Sequence, residues 1–185
     1  TNHHRINHWP LDEGPVGEYA KKWLRKYSGA DKPIYLQFLT GGTHYPYTVP
    51  KGYRGPRSGD TREDHYYNAV HYSDMVIGQL IDVLREQGSL DHTLIFVTGD
   101  HGQAFGKRHK RNFLHKNFLY EENIKNFFMV IAPRALTKQI TSDRIGTLGD
   151  EFATMSSLAG LGVPNIPGRD LFGTDFRNRL VYFHK

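Results

Sequence analysis

The chain has 185 residues, enough for one compact domain that buries most of its apolar surface. With 38% hydrophobic and 23% charged residues it has the composition of a folded protein, and no run approaches the roughly 20 apolar residues of a membrane helix. Lys and Arg number 24 against 19 Asp and Glu, a net charge of +5 that favours anionic ligands only mildly. There is no cysteine, which excludes disulfides, thiolate metal sites and cysteine nucleophiles.

The opening residues Thr1-Asn2-His3-His4 carry no signal-peptide pattern and read as the interior of a longer polypeptide. Glu18 to Tyr27 reads as a short amphipathic helix. Asp31, Lys32 and Pro33 break the chain before Ile34 to Leu39, a buried-strand candidate. Gly41 to Gly59 is a Gly-, Pro- and Tyr-rich loop long enough to carry function. The clearest helix runs from Glu63 to Gln87, with Tyr66, Val70, Ser73, Ile77, Leu80, Ile81 and Leu84 as its core stripe and Gly88 as its stop.

Thr93 to Thr98 and Phe127 to Ala132 are β-branched or apolar and predict further strands. Thr141 to Thr147 and Leu180 to Phe183 are weaker strand candidates. Asp150 to Leu161 predicts a helix that offers Ala153, Met155 and Leu158 for burial. A strand–helix–strand order with a helical crossover predicts parallel pairing in a sheet covered on both faces, hence an α/β, three-layer α/β/α architecture with a mostly parallel sheet. The run Lys107 to Arg111 reads as a solvated loop; no recognition motif accompanies it, so nucleic acid is not an expected partner.

Ligands of open α/β sheets bind beyond the carboxyl ends of the strands. Thr93 to Thr98 leads into Gly99-Asp100-His101-Gly102, and Ile34 to Leu39 leads into Gly41-Gly42-Thr43-His44-Tyr45-Pro46. Parallel strands would open His44 and the Asp100-His101 pair onto one edge. A carboxylate beside an imidazole, between glycines, suits a divalent cation. The same turn is also compatible with Asp100 capping the next segment and His101 satisfying a backbone carbonyl.

Tyr67 to Pro133 is similar to the sulfatase branch of the alkaline-phosphatase superfamily. The resemblance is carried by Leu90-Asp91-His92-Thr93, Thr98-Gly99-Asp100-His101-Gly102, Gly106, His109, Lys116, Tyr120-Glu121-Glu122 and Pro133. Thr43-His44-Tyr45-Pro46-Tyr47 resembles the family's Pro-His-x-Pro-Tyr element. Asp150 to Leu161 with Val163-Pro164 and Pro167-Gly168-Arg169 resembles a later helix and turn. The resemblance implies Asp100 and His101 as metal ligands, His44 as an ester contact and proton donor, and Lys116 as an anion-binding and charge-stabilising group. It also offers His115 as a substrate or second-metal contact and His109 as a substrate contact, and leaves Glu121 and Glu122 as structural residues.

The family's nucleophile and remaining ligands lie upstream of the matched motifs, and Ser58-Gly59-Asp60-Thr61-Arg62 lacks the proline of the sulfatase nucleophile motif. The expectation is therefore the C-terminal portion, residues 1–185, of a single sulfatase-like catalytic domain, inactive alone and completed by a missing N-terminal half. One divalent cation is implied, Ca²⁺ first and Mn²⁺, Mg²⁺ or Zn²⁺ as alternatives, with a sulfate or phosphate ester as the anionic substrate. A phosphodiesterase or a phosphoglycerol or phosphoethanolamine transferase is the alternative, favoured by His101 and by the Lys107 to Arg111 insertion. A non-catalytic sensing domain is the third reading. The family implies an extracytoplasmic location, with any membrane anchor outside this chain.

Overall fold

A computed structural model describes residues 12–136, 138–162, 165, 167–174 and 181. The chain divides into two compact units, Thr1–Thr93 and Leu94–Lys185. The first is helical. Helix α1, Glu13–Tyr27, begins earlier than its amphipathic pattern suggests, because the Asp12 carboxylate accepts from Gly14 N at 2.9 Å and caps it. Helix α2, Arg62–Glu86, starts with a capping box in which Thr61 and Asp64 satisfy each other's backbone amides. It ends before Gly88, whose φ of 66° suits a residue without a Cβ.

The two helices pack together, and the close approach is set by Gly17, where an added Cβ would meet Val76 Cγ1 at 2.7 Å. The buried face of α2 is Ala69, Tyr72, Ser73, Val76, Leu80, Val83 and Leu84. This is rotated from the expected stripe. Val70 is exposed, and Ile77 and Ile81 are only half-buried, because α1 meets the small and aromatic residues beside them. A 3₁₀ turn, Leu90–His92, follows.

Ile34 to Leu39 is not a strand. Tyr35 and Leu39 are 80% and 85% exposed, so the apolar pattern there has no pairing partner among the described residues. Thr141 to Thr147 also lacks strand geometry, and Leu180 to Phe183 lies outside the described residues apart from Val181.

Among its described residues the second unit carries four short strands: β1, Ile95–Thr98; β2, Ala104–Phe105; β3, Phe113–Leu114; and β4, Phe128–Ile131. β1 pairs with β4 and β2 with β3, both antiparallel. The expected parallel pairing is therefore not seen among the described residues. Phe96 and Phe128 stack across the first ladder at 6.0 Å. Helix α3, Glu121–Ile124, is a single turn, and helix α4, Leu148–Leu158, closes the described core.

Instead of Met155 and Leu158, α4 buries Asp150, Glu151, Ala153, Thr154 and Ser156. The polar members are used. Asp150 accepts from Thr147 N at 2.7 Å and from Arg169 N at 2.8 Å, and the Thr154 hydroxyl accepts from Leu171 N at 2.8 Å. These bonds pin the turn around Gly168, where a Cβ would meet the Gly149 carbonyl oxygen at 2.1 Å.

Candidate functional site

In the first unit, His44 sits in a loop organised from below by Glu13. The Glu13 carboxylate is 3% exposed and accepts from Gly41 N at 2.9 Å and Gly42 N at 2.6 Å. A Cβ on Gly42 would lie 3.0 Å from that carboxylate, so the loop backbone approaches Glu13 closely here. A turn follows, with His44 N donating to Gly41 O and Tyr47 N to His44 O at 2.8 Å. Tyr45-Pro46 is cis, and Tyr47 is buried with φ of 63°. Burial, helped by the neighbouring Tyr66, pushes the Tyr47 phenol up to about 12.

His44 Nδ1 lies 2.7 Å from Tyr45 O. A carbonyl only accepts, so Nδ1 carries the proton of this bond.

In the second unit, β1 delivers Gly99-Asp100-His101-Gly102 into a turn held by asparagines. Asn126 Oδ1 accepts from Gly99 N at 3.1 Å while its amide nitrogen donates to Gly99 O. Gly102 N donates to Asn123 O at 2.8 Å, and a Cβ on Gly102 would meet Glu122 O at 2.5 Å and Lys125 O at 2.7 Å. The turn is thus clamped at Gly99 by the Asn126 side chain and at Gly102 by the backbone of Asn123.

Its side chains are left for other work. The Asp100 side chain is 83% exposed, and His101 Nε2 lies 3.5 Å from Asp100 Oδ1. His101 Nδ1 donates to Gly102 O at 2.8 Å, which fixes the tautomer and leaves Nε2 as the free donor atom on the Asp100 side. His101 thus satisfies a backbone carbonyl, as one of the two readings of this turn expects.

His115 joins this pair. Its ring stacks on His101 with centroids 3.8 Å apart, and its Nδ1 is 3.4 Å from Gln103 Oε1. Lys116 follows directly and is exposed. His109 is placed differently, with its ring stacked on Tyr120 at 3.8 Å and Nδ1 donating to Glu122 Oε1 at 3.1 Å.

Glu121 and Glu122 are the structural residues expected. Glu121 pairs with Arg108 at 2.7 Å and Lys125 at 3.4 Å. Glu122 accepts from Asn112 Nδ2 at 2.5 Å as well as from His109. The Asn112 amide, then His109, hold its carboxyl below the usual range against the opposing effect of burial. Asn112, Asn123, Asn126 and Gln103 have no sequence signature, because isolated amides follow no periodic pattern; only their buried contacts reveal them.

Among the described residues, no group of three or more His, Asp and Glu side chains is arranged to hold a metal ion. The chemistry of the donor pair nevertheless fits a cation, with one hard carboxylate and one imidazole nitrogen whose tautomer is set for ligation.

The sulfatase family model matches residues 9–161. This chain belongs to the sulfatase family. Human N-acetylgalactosamine-6-sulfatase is 27% identical over 158 residues, which cover 80% of this chain and 30% of that enzyme. Lipoteichoic acid synthase 1 of Bacillus subtilis is 25% identical over 170 residues, covering 86% of this chain and 26% of the synthase. A crystal structure of a protein in the alkaline phosphatase superfamily from Vibrio parahaemolyticus aligns with a TM-score of 0.69 at 26% identity, over 96% of this chain and 41% of that one. The sulfatase-family chain therefore has an α/β fold of the alkaline phosphatase superfamily, and it spans about a third of the length of the first curated relatives it matches.

Proposed function

We propose that the intact protein is a divalent-cation-dependent enzyme that hydrolyses sulfuric esters, with this chain as the C-terminal portion of one catalytic domain. The observation that carries the reading is the Asp100-His101 turn, whose backbone is clamped while His101 Nε2 and the Asp100 carboxylate stay open to an ion. These two residues would hold the cation, Ca²⁺ by preference, and the cation would polarise an ester oxygen. The remaining ligands and the nucleophile would come from sequence outside this chain, so the 185 residues alone turn over no ester. The exposed apolar segment Ile34 to Leu39 would pair there, completing a three-layer, mostly parallel sheet.

His44, with Nδ1–H committed to Tyr45 O, would present Nε2 to the leaving oxygen and, as the doubly protonated imidazolium, pass it the Nε2 proton. Lys116 would bind the anionic group and stabilise the charge that builds in the transition state. His115, beside His101, would contact the same group, and His109 would reach substrate through its outer edge. An extracytoplasmic location follows from the same reading; no described helix is long and apolar enough to cross a membrane.

The test compares the intact protein with its Asp100→Asn variant on an aryl sulfate and a bis-aryl phosphate, with Ca²⁺ added or chelated. Cation-dependent sulfate release that is lost in Asp100→Asn is the expected result. Turnover of neither ester, with or without cation, would overturn the proposal and favour a ligand-sensing domain.

The second reading is phosphoryl transfer, favoured by the similarity to lipoteichoic acid synthase 1 over most of the chain. Activity confined to the bis-aryl phosphate would select it.

A further inference from the structure

The β2–β3 hairpin has two functional ends. At its open end, Gln103 and His115 face each other, and His115 carries the stacked His101. At its closed end lie Lys107, Arg108, Lys110 and Arg111, all exposed. Asn112 N donates to His109 O at 2.8 Å, so Lys110 and Arg111 occupy the two central positions of a β-turn. Glu121 takes Arg108 and Glu122 takes His109, while Lys110 and Arg111 form the crown.

A merely solvated loop needs no buried scaffold, and this one has an elaborate one. Asn112 is 1% exposed and Asn123 3%, and their amides bond each other at 2.6 Å and 3.2 Å. Gly106 N closes the loop by donating to Asn112 O at 2.7 Å, and the His109 ring lies flat on Tyr120. The crown is therefore held in place before any ligand arrives, which lowers the ordering cost of binding.

We infer that this turn is a second anion-binding site, which takes a further sulfate or phosphate group of a polyanionic ester chain whose reacting ester lies at the Asp100-His101-His115 end. The inference rests on the ester-cleaving reading above and names its substrate class. Three residue steps separate Gln103 from Gly106 and Asn112 from His115, so at the rise of a strand the two ends lie about 10 Å apart. A single monoester cannot span that distance, whereas a polymer carrying an anionic group on successive units can. Arginine also favours this use, since its planar fork matches the oxygens of sulfate and phosphate.

The experiment measures binding of the intact protein to dextran sulfate and to linear polyphosphate across a salt series, with vesicles of phosphatidylglycerol as a third arm. Lys110→Ala/Arg111→Ala should weaken binding of either polymer about tenfold at low salt. It should also reduce the slope of log affinity against log salt by about 1.4, two contacts at about 0.7 each for a single-stranded polyanion. Lys22→Ala/Lys26→Ala, on α1, makes the same change in net charge and should leave binding as it was. Equal losses in the two double variants, or no loss in the first, would overturn the site. Binding to the vesicles without binding to either polymer would overturn the substrate class in favour of a bilayer. Binding is read without turnover, so a failure of the proposed ester chemistry shows separately, in the aryl ester assay.

Discussion

Replacing Asn112 by alanine would remove the central member of the network beneath the basic turn. The amide nitrogen contacts Glu122 Oε1 at 2.5 Å and Asn123 Oδ1 at 2.6 Å, and its oxygen accepts from Asn123 Nδ2 at 3.2 Å. Asn123 would keep its bond to Leu114 O and Glu122 would keep His109, so both partners are impoverished without being stripped. One buried oxygen without its donor, a weakened carboxylate contact and a small cavity together cost about 3 kcal/mol, since each unsatisfied buried group costs about 1–3 kcal/mol.

That loss corresponds to a roughly hundredfold increase in local opening. Hydrogen exchange at the amides of Gly106 and residue 112, both bonded within the loop, reads it directly. A change below about threefold would refute the reasoning. Asn112→Asp gives a second reading, because its carboxylate would face Glu122. The folded pair would then hold a proton that the unfolded chain releases, so stability should be greatest in acid and fall as pH rises through the raised folded value. A variant that instead gains stability with pH would show that the two carboxylates do not meet.

Glu13→Ala should cost about 2 kcal/mol by removing the acceptor for Gly41 N and Gly42 N, and exchange at those two amides should rise sharply while α2 stays protected. Glu151 concerns pH. Burial chiefly, with the Asp150 charge, raises its carboxyl above the usual range, against the pull of the Thr98 hydroxyl at 3.0 Å. A raised folded value means its stabilising contribution is complete below the unfolded value, about 4.3, and is lost as pH rises through the folded value. Glu151→Gln keeps an oxygen for Thr98 and should therefore be more stable than the parent at pH 7, with the difference shrinking towards pH 4 in urea titrations. A pH-independent difference would show that Glu151 does not titrate between those limits.

The helices were legible because their signals are local. Gly88 and the stripe spacing placed α2 within a residue at each end, and the apolar runs placed β1 and β4. The face of α2 was less legible, since Val70 and Ala69 are both apolar, yet Ala69 is buried and Val70 exposed. Ile34 to Leu39 has a strand's composition, yet composition cannot supply the neighbour a strand needs, and its side chains stand exposed. The apolar count also misled for α4, whose buried face works through Asp150 and Thr154 as hydrogen-bond partners for a distant turn. In the candidate site, Asp100 and His101 could be singled out by side-chain chemistry and His115 through the family resemblance, but the asparagines that hold the turn could not.

The clamping of Gly99 and Gly102 from outside has an evolutionary corollary. The shape of the turn depends on Asn126 and on the carbonyl of Asn123, and on no atom of the Asp100 carboxylate. If Asp100 holds an ion, as proposed, its carboxylate can be exchanged on an unchanged frame, whereas the His101 ring cannot, because its Nδ1 bonds the Gly102 carbonyl within the turn. On that reading, descendants with a different donor at position 100 would retain the same loop, and the preference for one ion over another could drift there without a toll on folding.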